Sequence, residues 1–284
     1  AATASGLAAT AETIRAPRSI INGRTGSMRS YTFSRFPLQD FKLVKDAFGG
    51  TINDVVLAAV SGGLRQYLLA HDEDPDEPEN ALQALCPVSI RDETERTALG
   101  NRLALLLVKL PIDEPNAEER LARVRQTVDR LKARRQAVGA DFLLKLAGFA
   151  PSTLHAMVAR ASLRQIGFNM VVTNVPGPQF PLYFRGARLV EAFPVAFLYE
   201  GQYAAIAIFS YMGWLNFGYL ADAHGLPDVQ VLAKSVEKSF KDLVRAAKRH
   251  EAFTAEVESA APKPASKPAR TAARRPASAG ARRR

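Results

Sequence analysis

The sequence contains little cysteine and no long apolar run. Cys86 is the single cysteine among 284 residues, so no disulfide can form within the chain, and a reducing compartment is expected. No apolar run reaches the roughly 18 residues needed to span a membrane. No charged segment followed by an apolar one opens the chain, so no signal peptide is expected. These absences predict a cytoplasmic globular protein.

Recognisable catalytic and metal-binding motifs are also missing. The four histidines (His71, His155, His224 and His250) are scattered, and with one cysteine they offer no metal-ligand spacing. The chain contains no G-x-S-x-G turn, glycine-rich phosphate loop or dinucleotide-binding fingerprint. The sequence therefore predicts no metal site and no bound cofactor, and it assigns no catalytic residue.

Acidic residues are absent from the C-terminal end, where the basic charge is concentrated. Residues 262–284 hold eight Lys and Arg and no acid, and removing these charges from the net +10 leaves +2 for the rest. A nucleic-acid-binding fold carries its charge on the folded surface, so the distribution argues against one. We expect a flexible linker over 1–20, a folded domain over 21–251 and a disordered Pro/Ala/Arg tail over 252–284.

Within the folded part, the apolar spacing predicts about seven strands and six helices in mixed order. Strands are expected at 30–37, 81–90, 101–110, 168–175, 187–193, 203–211 and 214–221. Helices are expected at 38–48, 51–71, 116–138, 227–249 and, interrupted at Pro151, 141–166. The last two strands, joined by Met212-Gly213, suggest a hairpin. The fold class is therefore α/β, a mixed sheet covered by helices on at least one face.

The first candidate motif is Asn53-Asp54, at the start of an apolar helix. Thr51 and Asp54 have the spacing of a capping box, in which each side chain bonds the backbone N–H of the other residue. That structural role alone explains Asp54. The functional alternative is that Asn53 and Asp54 support a substrate channel through hydrogen bonds.

The second candidate motif is "NVPGP", which ends the apolar run from Phe168. Asn174 can cap its own turn, and Pro176 stops a strand because it has no N–H. Gly177 allows a positive φ or the close approach of a ligand, and Pro178 completes the motif. Such a turn could line a cleft or serve only as a rigid exit from the strand.

Two further segments have both a structural and a functional interpretation. Arg91 and Arg102 could bind a phosphate or a carboxylate, with Asn101 bracing their loop, although exposed loop charges are usually only solvated. The apolar side of residues 141–166 could pack into the core or contact lipid.

Taken in order, the segments "INGRTG", "GGTINDVVLAAVSGGLRQYL", "CPVSIR…GNR", "VVTNVPGPQFPLYFRGARL" and "FGYLADAHGLPD" resemble the C-terminal half of the bacterial wax ester synthase/diacylglycerol acyltransferase family. The resemblance covers roughly residues 21–250. It implies one half of a chloramphenicol-acetyltransferase-like fold, in which two related α/β halves enclose a channel. Asn53, Asp54 and residues 174–178 match family motifs that would shape this channel and the contact between the halves.

The resemblance also implies a chemistry. An acyl group would pass from acyl-CoA, as co-substrate, to diacylglycerol or a long-chain alcohol. In the family the base is the second histidine of an HHxxxDG motif in the N-terminal half. These 284 residues contain no HHxxxDG. We therefore expect a C-terminal domain that is inactive alone and needs the N-terminal half, in cis or in trans.

The alternative hypothesis is a non-catalytic lipid- or partner-binding module. Its basic tail would recruit it to an anionic membrane, because each cation near such a surface contributes about 1 kcal/mol. Either hypothesis fits a cytoplasmic protein that is peripheral on a membrane or a lipid droplet. A nucleic-acid partner for the tail is the weaker expectation.

Overall fold

The computed structural model describes residues 19–77, 81–89, 103–137 and 167–260. The strands are β1 (Arg29–Pro37), β2 (Leu82–Ser89), β3 (Leu103–Leu110), β4 (Met170–Val175), β5 (Tyr183–Phe184), β6 (Ala187–Arg188), β7 (Ala204–Tyr211) and β8 (Trp214–Asp222). The helices are α1 (Leu38–Phe48), α2 (Ile52–Leu69), α3 (Ala117–Ala137) and α4 (Val229–Ala260). The predicted helix over 141–166 lies outside the described residues.

Six strands form one mixed sheet in the order β1-β8-β7-β4-β2-β3. The central strands β7, β4 and β2 are parallel, whereas the β1–β8, β8–β7 and β2–β3 pairs are antiparallel. Met212 and Gly213 both have positive φ, which matches the twist of a two-residue β-hairpin. The expected mixed α/β sheet and the β7–β8 hairpin are thus confirmed.

The four helices of the described residues pack on one face of the sheet, called here the helix face. Every residue of the Val55–Val60 run in α2 is fully buried, as its apolar character on all sides predicts. A Cβ on Gly63 would lie 2.4 Å from Val236 Cγ2, so glycine lets α2 approach α4 closely. The phenyl rings of Phe41 and Phe240 stack with their centroids 4.0 Å apart, which joins α1 to α4 over the sheet.

Two predicted boundaries are wrong. The strand expected over 187–193 ends at Arg188, and the chain beyond it crosses the sheet without joining a β-ladder. The last helix continues from its expected end at Arg249 to Ala260, through part of the predicted tail. The segment after Arg249 contains no proline before Pro262, and its Ala and Glu residues favour helix. Residues 261–284 lie outside the described part of the chain.

A clasp of hydrogen bonds holds residues 21–26 to the edge of the sheet at which β2, β4 and β7 begin. Asn22 Nδ2 donates to the carbonyl oxygen of Asn169 (2.9 Å) and, more weakly, to that of Gly201 (3.1 Å). Thr25 Oγ1 accepts from the Gly201 N–H at 3.0 Å. This clasp gives the "INGRTG" segment a structural role, far in sequence from the strands it joins.

Among the described helices, none has by itself the length and apolarity to cross a membrane. α1 and α2 taken together meet those two criteria, across a bend of 98°.

Candidate functional site: the open face of the sheet

The side of the sheet opposite the helices is called here the open face. Cross-strand partners share a face, so the register identifies its side chains. They include Tyr31, Phe33, Arg35, Leu85, Leu105, Leu107, Val171, Thr173, Val175, Ala205, Ala207, Phe209, Asn216, Gly218 and Leu220. Most are apolar, although no helix covers them in the described structure.

A crossing segment, residues 189–199, covers part of the open face. Its Ala196, Leu198 and Tyr199 pack with Val171 and Ala205 in a second, smaller apolar cluster. Further along, the Phe193 ring lies 4.2 Å, centroid to centroid, from the ring of Phe33. The chain is thus held against the sheet by side-chain packing, and its β-type alternation serves this packing instead of strand pairing.

Hydrogen bonds from the strands fix the backbone of the crossing segment. Asn216 Nδ2 donates to the Ala192 carbonyl oxygen at 2.9 Å, and the Tyr31 hydroxyl donates to the Pro194 carbonyl oxygen at 3.2 Å. A Cβ on Gly218 would lie only 1.8 Å from that Pro194 oxygen. Glycine at 218 is therefore required for the segment to lie this close to β8.

The described residues leave the remainder of the open face and the outer side of the crossing segment uncovered. Phe33 is 57% exposed, and Leu105 and Val175 are each 51% exposed. On the crossing segment, Val190 and Phe197 are 72% and 68% exposed. An exposed apolar surface of this extent marks a binding site for a ligand or another protein surface.

The apolar spacing in "SYTFSRFP" predicts strand β1, and the structure has it. Tyr31 and Phe33 are the exposed side chains, whereas Ser34 lies on the helix-facing side and bonds the Tyr219 hydroxyl at 3.0 Å. Burial raises the pKa of Tyr219, so this phenol remains a neutral hydrogen-bonding group. The Ser34–Tyr219 hydrogen bond therefore satisfies the polar side of β1 inside the fold. The apolar side of β1, with Tyr31 and Phe33, is the one that lies on the open face.

The "NVPGP" turn lies where β4 ends, beside the end of β7. β4 ends at Val175, directly before Pro176. The Gly177 N–H donates to Ser210 Oγ at 3.0 Å, and this bond replaces the predicted cap by Asn174. Gly177 does not have a positive φ, but a Cβ there would lie 2.2 Å from the Ser210 carbonyl oxygen. The close approach that requires this glycine is therefore made by the protein's own strand.

Beyond the turn, β5 and β6 form a short hairpin whose apolar side chains are exposed. The Leu182 N–H donates to the Tyr211 hydroxyl at 2.9 Å, and that hydroxyl donates to the Leu189 carbonyl oxygen at 3.0 Å. Phe184 at its tip is 79% exposed. The buried Tyr211 thus holds the base of the hairpin and leaves its tip uncovered.

Asn53 and Asp54 belong to the helix layer, and the structure does not join them to the turn. Asp54 forms the predicted capping box: its Oδ2 accepts from the Thr51 N–H at 2.8 Å, and Thr51 Oγ1 accepts from the Asp54 N–H at 3.3 Å. Asp54 Oδ1 is buried and has no hydrogen-bond partner in the described structure. No hydrogen bond links Asn53 or Asp54 to the described residues 174–178.

Pro178, at the end of the "NVPGP" turn, contacts the β7–β8 hairpin. Its carbonyl oxygen accepts a hydrogen bond from the Met212 N–H at 3.4 Å.

The loop candidates Arg91, Asn101 and Arg102 lie outside the described residues, so their predicted phosphate or carboxylate contacts stay predictions. The sequence did contain one indication of the open face. Apolar residues occupy alternate positions of β1 (Tyr31 and Phe33) and of β3 (Leu105 and Leu107), on the side that the structure leaves exposed. Each strand was assigned correctly, but which of its faces would remain uncovered depends on the neighbouring strands.

No histidine stands on the open face among the described residues. His71 bonds the Asp228 carboxylate at 2.9 Å and the Tyr67 carbonyl oxygen at 2.8 Å, which ties α2 to the start of α4. His250 packs its ring on Phe48, and His224 lies in the exposed turn after β8. Burial raises the pKa of the Cys86 thiol to about 12, so this group is no nucleophile at neutral pH. The described residues contain no cluster of potential metal ligands.

The chain matches two family models. The WS/DGAT C-terminal domain matches residues 99–244, and the wax ester synthase/diacylglycerol acyltransferase catalytic domain matches residues 1–56. The second match includes residues 1–20, for which a flexible linker stays a prediction.

Curated relatives show the same similarity. The chain is 34% identical over 229 residues to the O-acyltransferase WSD of Acinetobacter baylyi, covering 80% of this chain and 49% of the relative. It is 35% identical over 237 residues to a putative diacylglycerol O-acyltransferase of Mycobacterium tuberculosis, covering 81% of this chain and 51% of the relative. The chain thus spans about half the length of these relatives.

Solved structures agree on the fold. A wax ester synthase/diacylglycerol acyltransferase from Marinobacter aquaeolei VT8 superposes with a TM-score of 0.65 at 28% identity, over 87% of this chain and 56% of that one. The epimerization domain of the third module of tyrocidine synthetase B, at 13% identity and a TM-score of 0.53 over 84% and 54% of the two chains, shares the fold alone. The expected half of a chloramphenicol-acetyltransferase-like fold is confirmed, and the chain belongs to the wax ester synthase/diacylglycerol acyltransferase family.

Proposed function

We propose that this chain forms one wall of the substrate channel of an acyl-CoA-dependent O-acyltransferase. The reaction passes an acyl group from the acyl-CoA thioester to the hydroxyl of diacylglycerol or a long-chain alcohol. Acyl-CoA is a co-substrate in this proposal, and no resident cofactor takes part. Family membership supports the reaction class, since the curated relatives are named as O-acyltransferases.

The observation that carries the proposal is the uncovered apolar open face. Phe33, Leu105 and Val175 come from three strands and stand exposed on one side of the sheet. An apolar surface can hold an acyl chain through the hydrophobic effect, at about 25 cal/mol per Å2 of buried area. When a second half covers this face, it also excludes water from the thioester.

In this proposal the chain has a binding and positioning role. Acyl transfer to a hydroxyl needs a base for the hydroxyl proton and donors for the developing oxyanion. Neither group is identified on the open face, and the resemblance implies that the base comes from a half that carries HHxxxDG. Residues 174–178 would then position the rim of the channel, and Asn53 with Asp54 would support the helix layer behind it.

A complementation experiment tests the proposal. The chain alone is expected to give negligible esterification of diacylglycerol or hexadecanol, and transfer should appear when a separately produced HHxxxDG half of a family member is added. Val175→Asp or Phe33→Asp should lower this complemented rate at least tenfold, because a buried carboxylate disfavours both docking and acyl-chain binding. Radiolabelled acyl-CoA measures the product.

Leu69→Asp is the matched control, because Leu69 is 52% exposed on α2, in the helix layer. It should complement as well as the unmodified chain. Esterification at a normal rate by the chain alone would remove the need for a second half. Complementation that fails, together with intact lipid binding, would favour the non-catalytic module.

A further inference from the structure

A separate groove lies on the helix side of the molecule, where β1 turns into α1 and meets α4. Its volume is about 710 Å3, within the roughly 300–1,000 Å3 of ligand-binding pockets. The walls include Phe36, Pro37, Phe240 and Val244. The rings of Phe36 and Phe240 pack edge to face with their centroids 5.1 Å apart, so the floor of the groove is well packed and apolar.

Basic side chains line the rim of this groove. Lys234, Lys238, Lys241 and Arg245 follow one another at intervals of three or four residues on α4, so they share one side of that helix. Arg35 lines the groove from β1, but its guanidinium pairs with Glu191 and stacks on the Trp214 ring, so its charge is already matched. Asp40 and Glu237 are the acids in the lining, so the four cations on α4 exceed them by two.

The pairing of these cations leaves some of them available. Lys241 pairs with Glu237 at 2.6 Å, and Arg245 pairs with Asp242. Lys234 and Lys238 are exposed and have no ion-pair partner in the described part of the chain. Exposed ion pairs contribute at most about 1 kcal/mol, so an incoming anion can also recruit Lys241 and Arg245.

We propose that this groove binds a single anionic phospholipid, with its phosphate on the lysine rim and one acyl chain against the half-buried Val244, above the buried rings of Phe36 and Phe240. The charge complementarity identifies the head group, and the apolar wall identifies the chain. A nucleic acid would satisfy the cations and leave Val244 unused. The chain's own residues 261–284 carry only basic charges, so repulsion excludes them as the occupant.

The experiment uses the full chain and a dioctanoyl phosphatidylglycerol monomer below its micelle concentration. Calorimetry at 0.5 M salt, where screening is effective beyond about 4 Å, suppresses the contribution of the basic tail. Binding is expected there, and the double variant Lys234→Gln/Lys238→Gln should weaken it about tenfold. Val244→Asp should weaken it by a similar factor, because it places a carboxylate beside the acyl chain.

Two controls separate the site from general electrostatics. Arg130→Gln/Lys132→Gln removes the same charge from exposed positions on α3 and should change the affinity less than twofold. Dioctanoyl phosphatidylcholine, with identical chains and a zwitterionic head, should bind at least tenfold more weakly.

Three results would overturn the proposal. The first is that the groove variants and the unmodified chain bind the lipid equally well. The second is that the two lipids bind equally well. The third is that a duplex DNA binds at the same salt concentration with an affinity that Val244→Asp does not change. Esterification by the complemented enzyme is a separate measurement, so failure here leaves the proposed acyl transfer intact.

Discussion

The two faces of the sheet differ in how they are covered. On the helix face, α1 to α4 bury a continuous core in which Phe41, Phe217 and Leu232 are fully inaccessible. On the open face, the crossing segment covers one cluster and leaves Phe33 and Val175 exposed. The helix face is thus completed by this chain's own helices, whereas the open face has apolar area that the described residues leave exposed. Stability should therefore depend on the first face and assembly on the second.

The largest expected difference concerns two phenylalanines on adjacent positions of neighbouring strands. Phe217 on β8 is fully buried on the helix face, and Phe217→Ala should lower the free energy of unfolding by about 3–5 kcal/mol. Phe33 on β1 faces the other way, and Phe33→Ala should cost about 1 kcal/mol, mainly its contact with Phe193. Urea denaturation followed by circular dichroism measures both. Equal losses in the free energy of unfolding would show that side chains on the open face stabilise the fold as much as those on the helix face.

The second prediction concerns pH, because one buried carboxylate holds the edge of the open face. Backbone N–H groups of Gly225, Gly26 and His224, together with Arg29, lower the pKa of Asp222 against the opposing effect of burial. A lowered folded-state pKa adds stability above the unfolded pKa of about 3.9, and this stability is lost as the pH falls through the folded value. Asp222→Asn should therefore cost about 1.5–3 kcal/mol at pH 7 and progressively less at acid pH.

The control for this prediction is Asp129→Asn, which removes an exposed carboxylate on α3. Urea midpoints at pH 7 and pH 3 should differ between the two variants at the higher pH, and this difference should be smaller at the lower. The apolar helix face should contribute equally at both values. A difference in urea midpoint that does not depend on pH would mean that Asp222 stabilises the fold through the shape of its side chain and not through its charge.

The smallest effect is expected for Gly218→Ala, which tests the attachment of the crossing segment. The added methyl group meets the Pro194 carbonyl oxygen and should cost about 1–3 kcal/mol, less if the segment moves away. Hydrogen exchange should increase over residues 189–199 and stay unchanged in α2. Unchanged exchange in both regions would show that the segment is not held by its contact with β8.

Much of the fold could be predicted from the sequence because the signals are local. The Thr51–Asp54 capping box, the buried run of α2 and the Met212-Gly213 hairpin each depend on a few adjacent residues, and the structure has all three. The extension of α4 beyond Arg249 was missed because its amphipathic pattern fades there while its helix propensity persists.

The candidate site was less predictable because it depends on distant residues. The alternation after Ala187 is the same for a strand and for a segment that packs across a sheet. Only Asn216, Tyr31 and Gly218 decide between the two, and they lie outside the segment itself. The turn predicts a positive φ or a ligand close to Gly177, whereas the structure brings the Ser210 carbonyl oxygen of β7 there, and a distant strand cannot be identified from the turn alone.

The pairing of β1 with β8 has a consequence for biosynthesis. β1 is the first described strand and finds its partner only in the last one, about 190 positions later, where Arg29 stands opposite Asp222. On a ribosome, the β1–α1 unit must remain without its sheet neighbour until nearly the whole domain has emerged. Closing so long a loop is slow, and an apolar strand edge that is still unpaired is prone to aggregation. Folding yield in the cell should therefore depend on translation speed and chaperone supply more than the final stability would suggest.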